Sequence, residues 1–237
     1  MRQTLTAALL LAAIQAHSAP LTTPVTLAQI AALPRLTAQT PAALRINADL
    51  AARDGMALAD AAACTVPTRE DGTLVTDQTG SWERSVAVTL SGQALLSILI
   101  TDEAWCPGAA HGFTVVTPLT WSLATGLAVD WPALLPPDWT RNPQNLPGDA
   151  GSLRSQAMTD YYHAHYPRLN DPDCADVELA RQPSFRFWPD AASHRLVMQP
   201  AESSHGTRAC DDAVLVSPTE LAALRADASL IAALTER

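Results

Sequence analysis

Hydrophobic positions change their spacing along the chain, and each change marks an element. In 41–63, Leu44, Ile46, Leu50, Met56 and Leu58 stand among many alanines. That spacing predicts a helix, with Pro41 suited to its first turn and Gly55 a candidate break. A short helix is predicted to start at Thr26, and 65–80 reads as a polar loop. Residues 84–90 then alternate, with Val86, Val88 and Leu90 on one face. Ser91-Gly92-Gln93 forms a tight turn and 94–101 is a near-continuous apolar run, so the whole segment predicts a hairpin. Residues 113–116, 119–123 and 127–131 supply further strand material, with a turn at Ala124-Thr125-Gly126. Five prolines make 132–147 irregular. An amphipathic helix is predicted over 152–166, stopped by Pro167. Short strands follow at 185–188, 195–199 and 214–216. A last helix opens on a capping box, with Ser217 as N-cap, Pro218 behind it and Glu220 at the third position. Its buried stripe is Leu221, Leu224, Ile231 and Leu234. Hairpin-linked strands mixed with a few helices predict an α+β fold of antiparallel sheets packed by helices.

The first residues carry a different kind of apolar run. Arg2 precedes a nearly all-apolar stretch over 5–16, followed by Ala16, Ser18 and Ala19 and then Pro20. This is the layout of a secretory signal over 1–19, too short for the roughly 20 residues of a membrane span. The expected location is therefore periplasmic or secreted, with no membrane span in the mature chain. Residues 20–33 are rich in Pro and Thr and read as a linker. The remainder divides into an N-terminal α+β part over 34–118 and a C-terminal α+β part over 119–237, two intertwined parts of one domain.

Composition narrows the chemistry. Hydrophobic residues make up 48% of the chain, enough for a substantial core. A net charge of -9 and a pI near 5.0 argue against nucleic acid and anionic lipid as partners. Every basic residue is Arg, which excludes lysine nucleophiles and Schiff bases. The four cysteines, Cys64, Cys106, Cys174 and Cys210, contain no C-x-x-C pair. In an exported chain they predict two disulfides, with three pairings open. Cys64–Cys106 with Cys174–Cys210 is favoured because each closes a loop within one half of the chain. Each such loop stabilises by roughly 3–4 kcal/mol in the chain-entropy account.

No nucleophile elbow, H-E-x-x-H, phosphate loop or dinucleotide fingerprint occurs. His163 and His165 fall on different faces of a helix and cannot share a metal. No metal or cofactor is expected. His111, between Ala110 and Gly112, is the sharpest single position. It suits a ligand contact, or a hydrogen bond to backbone in the turn before a strand with Gly112 in a conformation other residues resist. Six tryptophans against three phenylalanines is unusual, and Trp105, Trp121, Trp131 and Trp139 gather around this segment and the Pro-rich loop. Aromatic platforms bind sugars and anchor protein interfaces, and also fill cores.

The middle of the chain carries a recognisable pattern. Leu96-Ser97-Ile98 precedes Gly108-Ala109-Ala110-His111-Gly112, and a hairpin then runs from Leu119 through Thr125-Gly126 to Asp130-Trp131 and Leu134-Leu135. Ile46-Asn47-Ala48-Asp49-Leu50 lies upstream. Arg195-Leu196-Val197-Met198 and the run from Val214 to Leu221 lie downstream. Together these resemble the exported domain of RsiV-type, lysozyme-sensing anti-sigma factor ectodomains, which also accompanies some peptidoglycan deacetylases. Two positions depart from it: Ala109 stands at the second glycine, and Trp121-Ser122 replace the usual phenylalanine and aspartate. The resemblance implies an α+β ectodomain of two sub-parts. In the anti-sigma factors that domain binds lysozyme; in the deacetylases it is accessory. This chain is thus expected to be a free-standing, non-catalytic binding protein for a lysozyme-like protein or peptidoglycan. The candidate contacts are His111, Trp105, Trp121 and Trp131. The rival is a cell-envelope hydrolase built near His111 with Asp102 or Glu103.

Overall fold

A computed structural model of the chain describes residues 26–27, 30–65, 80–141, 144–145, 152–179, 183–201 and 208–236. The signal reading over 1–19, most of the 65–80 loop and His205 lie outside them. The fold is α+β, built on two five-stranded sheets. The first sheet runs β1 (Thr26–Leu27), β2 (Ile30–Ala31), β3 (Ser81–Ser91), β4 (Leu95–Trp105) and β5 (Phe113–Ser122) in sequence order. The helix expected from Thr26 is instead the β1 strand, paired antiparallel with β2. β2 touches β3 in parallel at Ile30 and Arg84, and every other strand pair of the two sheets is antiparallel.

Helix α1 (Pro41–Thr65) crosses one face of this sheet. It starts at Pro41 and runs unbroken through Gly55, around which there is open space, so no packing demands a break there. Ile46 and Leu50 pack on Leu96, Ile98, Ile100, Leu119 and Trp121. β4 opens on a near-continuous apolar run because it is an interior strand, between β3 and β5, covered on both faces: Leu95 and Leu90 meet Ala233 on the far side. A bulge between Val88 and Leu90 moves Leu90 to that far face. The two segments predicted at 113–116 and 119–123 are one strand that passes through Pro118. β5 tolerates the proline because it is the edge strand of its sheet. It also runs across the 118/119 boundary drawn from the sequence.

The second sheet has the order β10 (Val214–Val216), β9 (Arg195–Pro200), β8 (Phe185–Asp190), β7 (Leu153–Arg154) and β6 (Gln144–Asn145). Its core gathers Phe185, Phe187, Leu196, Met198, Tyr162, Trp131 and Trp139. The predicted 152–166 helix begins later, as α3 (Gln156–His165), because Ser155 caps it and the two residues before the cap join β7 and its sheet. Trp131–Leu134 forms α2, which takes the last residue of the strand material expected at 127–131 and the start of the segment expected to be irregular, and Pro172–Leu179 forms α4. The final helix is two: α5 (Pro218–Ala223) and α6 (Ala228–Thr235). Arg225 stands between them at φ 65 and Asp227 caps the second. The capping box on α5 has both of its bonds.

The sheets meet along β8. Ala191 N donates to Thr89 O at 2.8 Å, and the Arg186 guanidinium donates to Val116 O on the outer side of β5. Glu236, beyond α6, accepts from Gln93 N in the first hairpin's turn at 2.8 Å. The disulfides are Cys64–Cys106 and Cys174–Cys210, the pairing favoured from the sequence. Among the described residues no helix is long and apolar enough to cross a membrane.

Candidate functional site

The sequence candidates separate in space. Trp121 is 2% exposed, under α1, with its Nε1 donating to Asp49 at 3.0 Å. Trp131 packs on Phe187 in the second core, and Trp139 lies against Tyr161 there. These rings are filling core space, and none offers a platform to a ligand. Trp105 and His111 stay together at the free end of the first sheet. Trp105 is the half-buried last residue of β4, opposite Ser81, and His111 is exposed two residues before β5. His111 Nδ1 lies 2.9 Å from the Gly112 carbonyl, which can only accept, so that nitrogen carries the proton. Gly112 is not at a positive φ. Its constraint is proximity, since a Cβ there would lie 3.0 Å from Ala104 O.

This end of the sheet is held firmly. Cys106 follows Trp105 directly, and its bridge to Cys64 ties the strand end to the end of α1. Gly80, one residue before β3, fits against the carbonyls of Trp105 and Cys64. Beside it opens a cleft of about 1140 Å³, lined among others by Ser81, Glu83, Glu103, Trp105, Gly112 and Thr114. Trp82 and Phe113 stand across Ala104 on the α1 face, edge to face with centroids 5.7 Å apart.

The two acids proposed to work with His111 have different fates. Asp102 is buried and fully committed. It accepts from Arg84 Nε and Nη2, both at 2.8 Å, and from Trp82 Nε1 at 3.0 Å. Arg84 in turn approaches Asp54 at 3.9 Å, and Asp54 pairs with Arg35 at 2.6 Å. The bidentate guanidinium and the indole N–H take three of the carboxylate's roughly four lone-pair sites and tie both of its oxygens to partners inside the fold. Glu103 is exposed on the opposite face of the sheet, directly across from Glu83. Sequence spacing alone does not place these two residues opposite each other. The remaining histidines are apart: His165 stacks on Tyr161 with centroids 4.0 Å apart, and His194 Nδ1 lies 3.2 Å from Leu234 O. Among the described residues no group of three or more His, Cys, Asp or Glu is placed to hold a metal.

Comparison with known proteins finds no family model that matches the chain and no curated protein that matches it.

Proposed function

We propose that this is a non-catalytic binding protein that works outside the cytoplasm, in the periplasm or as a secreted protein. Its partner is a lysozyme-like protein or cell-wall glycan, and the contact face is the sheet end that carries Trp105 and leads into His111. The observation that carries the reading is the open cleft at that end. It is lined by an indole and two acidic side chains on a scaffold fastened by Cys64–Cys106. Rigid elements that present exposed aromatic and charged groups make good recognition surfaces. Two disulfides suit an oxidising compartment, and the net charge of -9 favours a basic partner through electrostatic steering. The two intertwined parts expected from the resemblance correspond, in this reading, to the two sheets with their own cores.

The test is association at low salt with a panel of lysozymes and with soluble peptidoglycan fragments. Binding to either supports the proposal, and binding to neither removes it. His111→Gln distinguishes the hydrolase rival. In a hydrolase it abolishes turnover of cell-wall or ester substrates while the fold stays intact. In the binding protein it leaves no turnover to lose and lowers stability through the lost contact with Gly112.

A further inference from the structure

Glu83 and Glu103 face each other across adjacent strands of the first sheet, and Thr114 continues the row on β5. Directly opposed residues share a face, and like charges in that position destabilise a sheet. Trp105 lies two residues beyond Glu103 on β4 and therefore projects from the same face. Among the described residues that line the cleft, these two glutamates are the only charged ones. Neither has an ion-pair partner among the described residues, whereas Asp49, Asp54, Asp102 and Asp171 are each matched with an arginine. A local rule broken on an exposed face, with no compensation inside the fold, marks a place where compensation comes from outside.

Resting on the binding reading above, we infer that this sheet face docks a basic protein segment, with a guanidinium or ammonium of the partner seated between Glu83 and Glu103 and against the Trp105 indole. The two carboxylates supply the charge that the cation needs, and the indole face adds a cation–π contact. The cleft is open and, at about 1140 Å³, exceeds the roughly 300–1,000 Å³ of an enclosed small-molecule site. It therefore suits a polypeptide segment. The pair is not an acid–base couple. Both groups are exposed on one face, and no element of the fold sets their environments apart as a glycosidic acid and base need. A neutral glycan would leave the opposed charges unrelieved.

The experiment titrates the whole mature protein with a fluorescent hexa-arginine peptide at low and high salt. Wild type is expected to bind with an affinity that falls as salt rises. Glu83→Gln with Glu103→Gln should weaken binding about tenfold or more, with Tm unchanged or higher because the opposed charges are gone. Trp105→Ala should weaken it as well. Asp160→Asn with Asp176→Asn removes the same charge from exposed sites elsewhere and should leave most of the affinity. Equal weakening by both double variants, or none by the first, overturns the inference. So does saturable Ca²⁺ binding that the first variant abolishes. If the glutamine variant keeps full association with lysozymes or peptidoglycan fragments, the clamp is wrong and the binding reading stands. If the wild type associates with none of these probes, both fail.

Discussion

The Asp102 carboxylate distinguishes most sharply between structure and catalysis. Asp102→Asn keeps the shape of the side chain and removes its charge. Arg84, whose side chain is only 7% exposed, would then face a neutral amide where it held a two-point ion pair at 2.8 Å. Removing one member of a buried pair costs about 3–5 kcal/mol, because the remaining charge is left uncompensated. Asp54 at 3.9 Å offsets part of this, but it is already engaged by Arg35 at 2.6 Å. The lower end, near 3 kcal/mol, is therefore expected. For a chain of this size each kcal/mol moves Tm by about 2–4 °C, so the variant should melt roughly 6–12 °C below wild type. Urea unfolding followed by tryptophan fluorescence gives the same quantity independently. Arg84→Met combined with Asp102→Leu replaces the pair by apolar contacts and should recover most of the loss. A variant Asp102→Asn within about 1 kcal/mol of wild type would refute this account of the network. Loss of turnover on a cell-wall substrate at unchanged stability would return Asp102 to the candidate catalytic set.

Three further outcomes follow from other parts of the fold. Replacing Cys64 and Cys106 by Ser opens a loop closed over 42 positions and should cost about 4 kcal/mol, read as a fall in Tm that is smaller than the fall added reductant causes in wild type, where Cys174–Cys210 opens as well. Gly80→Ala would set a Cβ 2.7 Å from Trp105 O and should destabilise by about 1–3 kcal/mol, whereas Gly55→Ala, in open space within α1, should stabilise by roughly 0.4–1 kcal/mol; chemical denaturation compares them directly. The Ser217 hydroxyl, then its amide, hold the Glu220 carboxyl below its ordinary 4.5, so its contribution is present above that pH and is lost as acid protonates it. Burial, then the Glu220 charge, push Tyr161 up to about 12, so its contribution is complete below 10.0 and lost as pH rises through 12. Tm measured against pH should fall on both flanks, and Ser217→Ala should flatten the acid one.

What the sequence made legible is what local chemistry decides. The hairpin around Gly92 and the capping box at Ser217 are written in a few consecutive residues, and both are present. The break between α5 and α6 rests on a single positive φ at Arg225, which composition does not announce. The tryptophans were ambiguous because an indole that fills a core and one that greets a ligand use the same residue; only burial separates Trp121 from Trp105. The Glu83–Glu103 opposition was hidden for a geometric reason. Carrying the turn's register, with Leu90 opposite Ser97, straight along β3 sets Glu83 against Ala104. The bulge after Val88 shifts the pairing by one and sets it against Glu103. A bulge is a tertiary decision here, since it lets one strand serve α1 with Val86 and the α6 side with Leu90.

The contact between Gln93 and Glu236 bears on the order in which the molecule assembles. The first hairpin is local and can zip within microseconds of its strands being available. Its turn, however, is fastened by a residue 143 positions away, and Leu90 and Leu95 finish their burial only against Ala233. Early formation of β3 and β4 thus leaves a provisional hairpin with an open apolar side. Closure waits for a contact 143 positions apart, the kind of distant pairing that slows folding. A chain made from its N-terminus emerges with that side uncovered until α6 arrives, and the late-docking α6 is the segment whose substitutions should change unfolding rates more than folding rates.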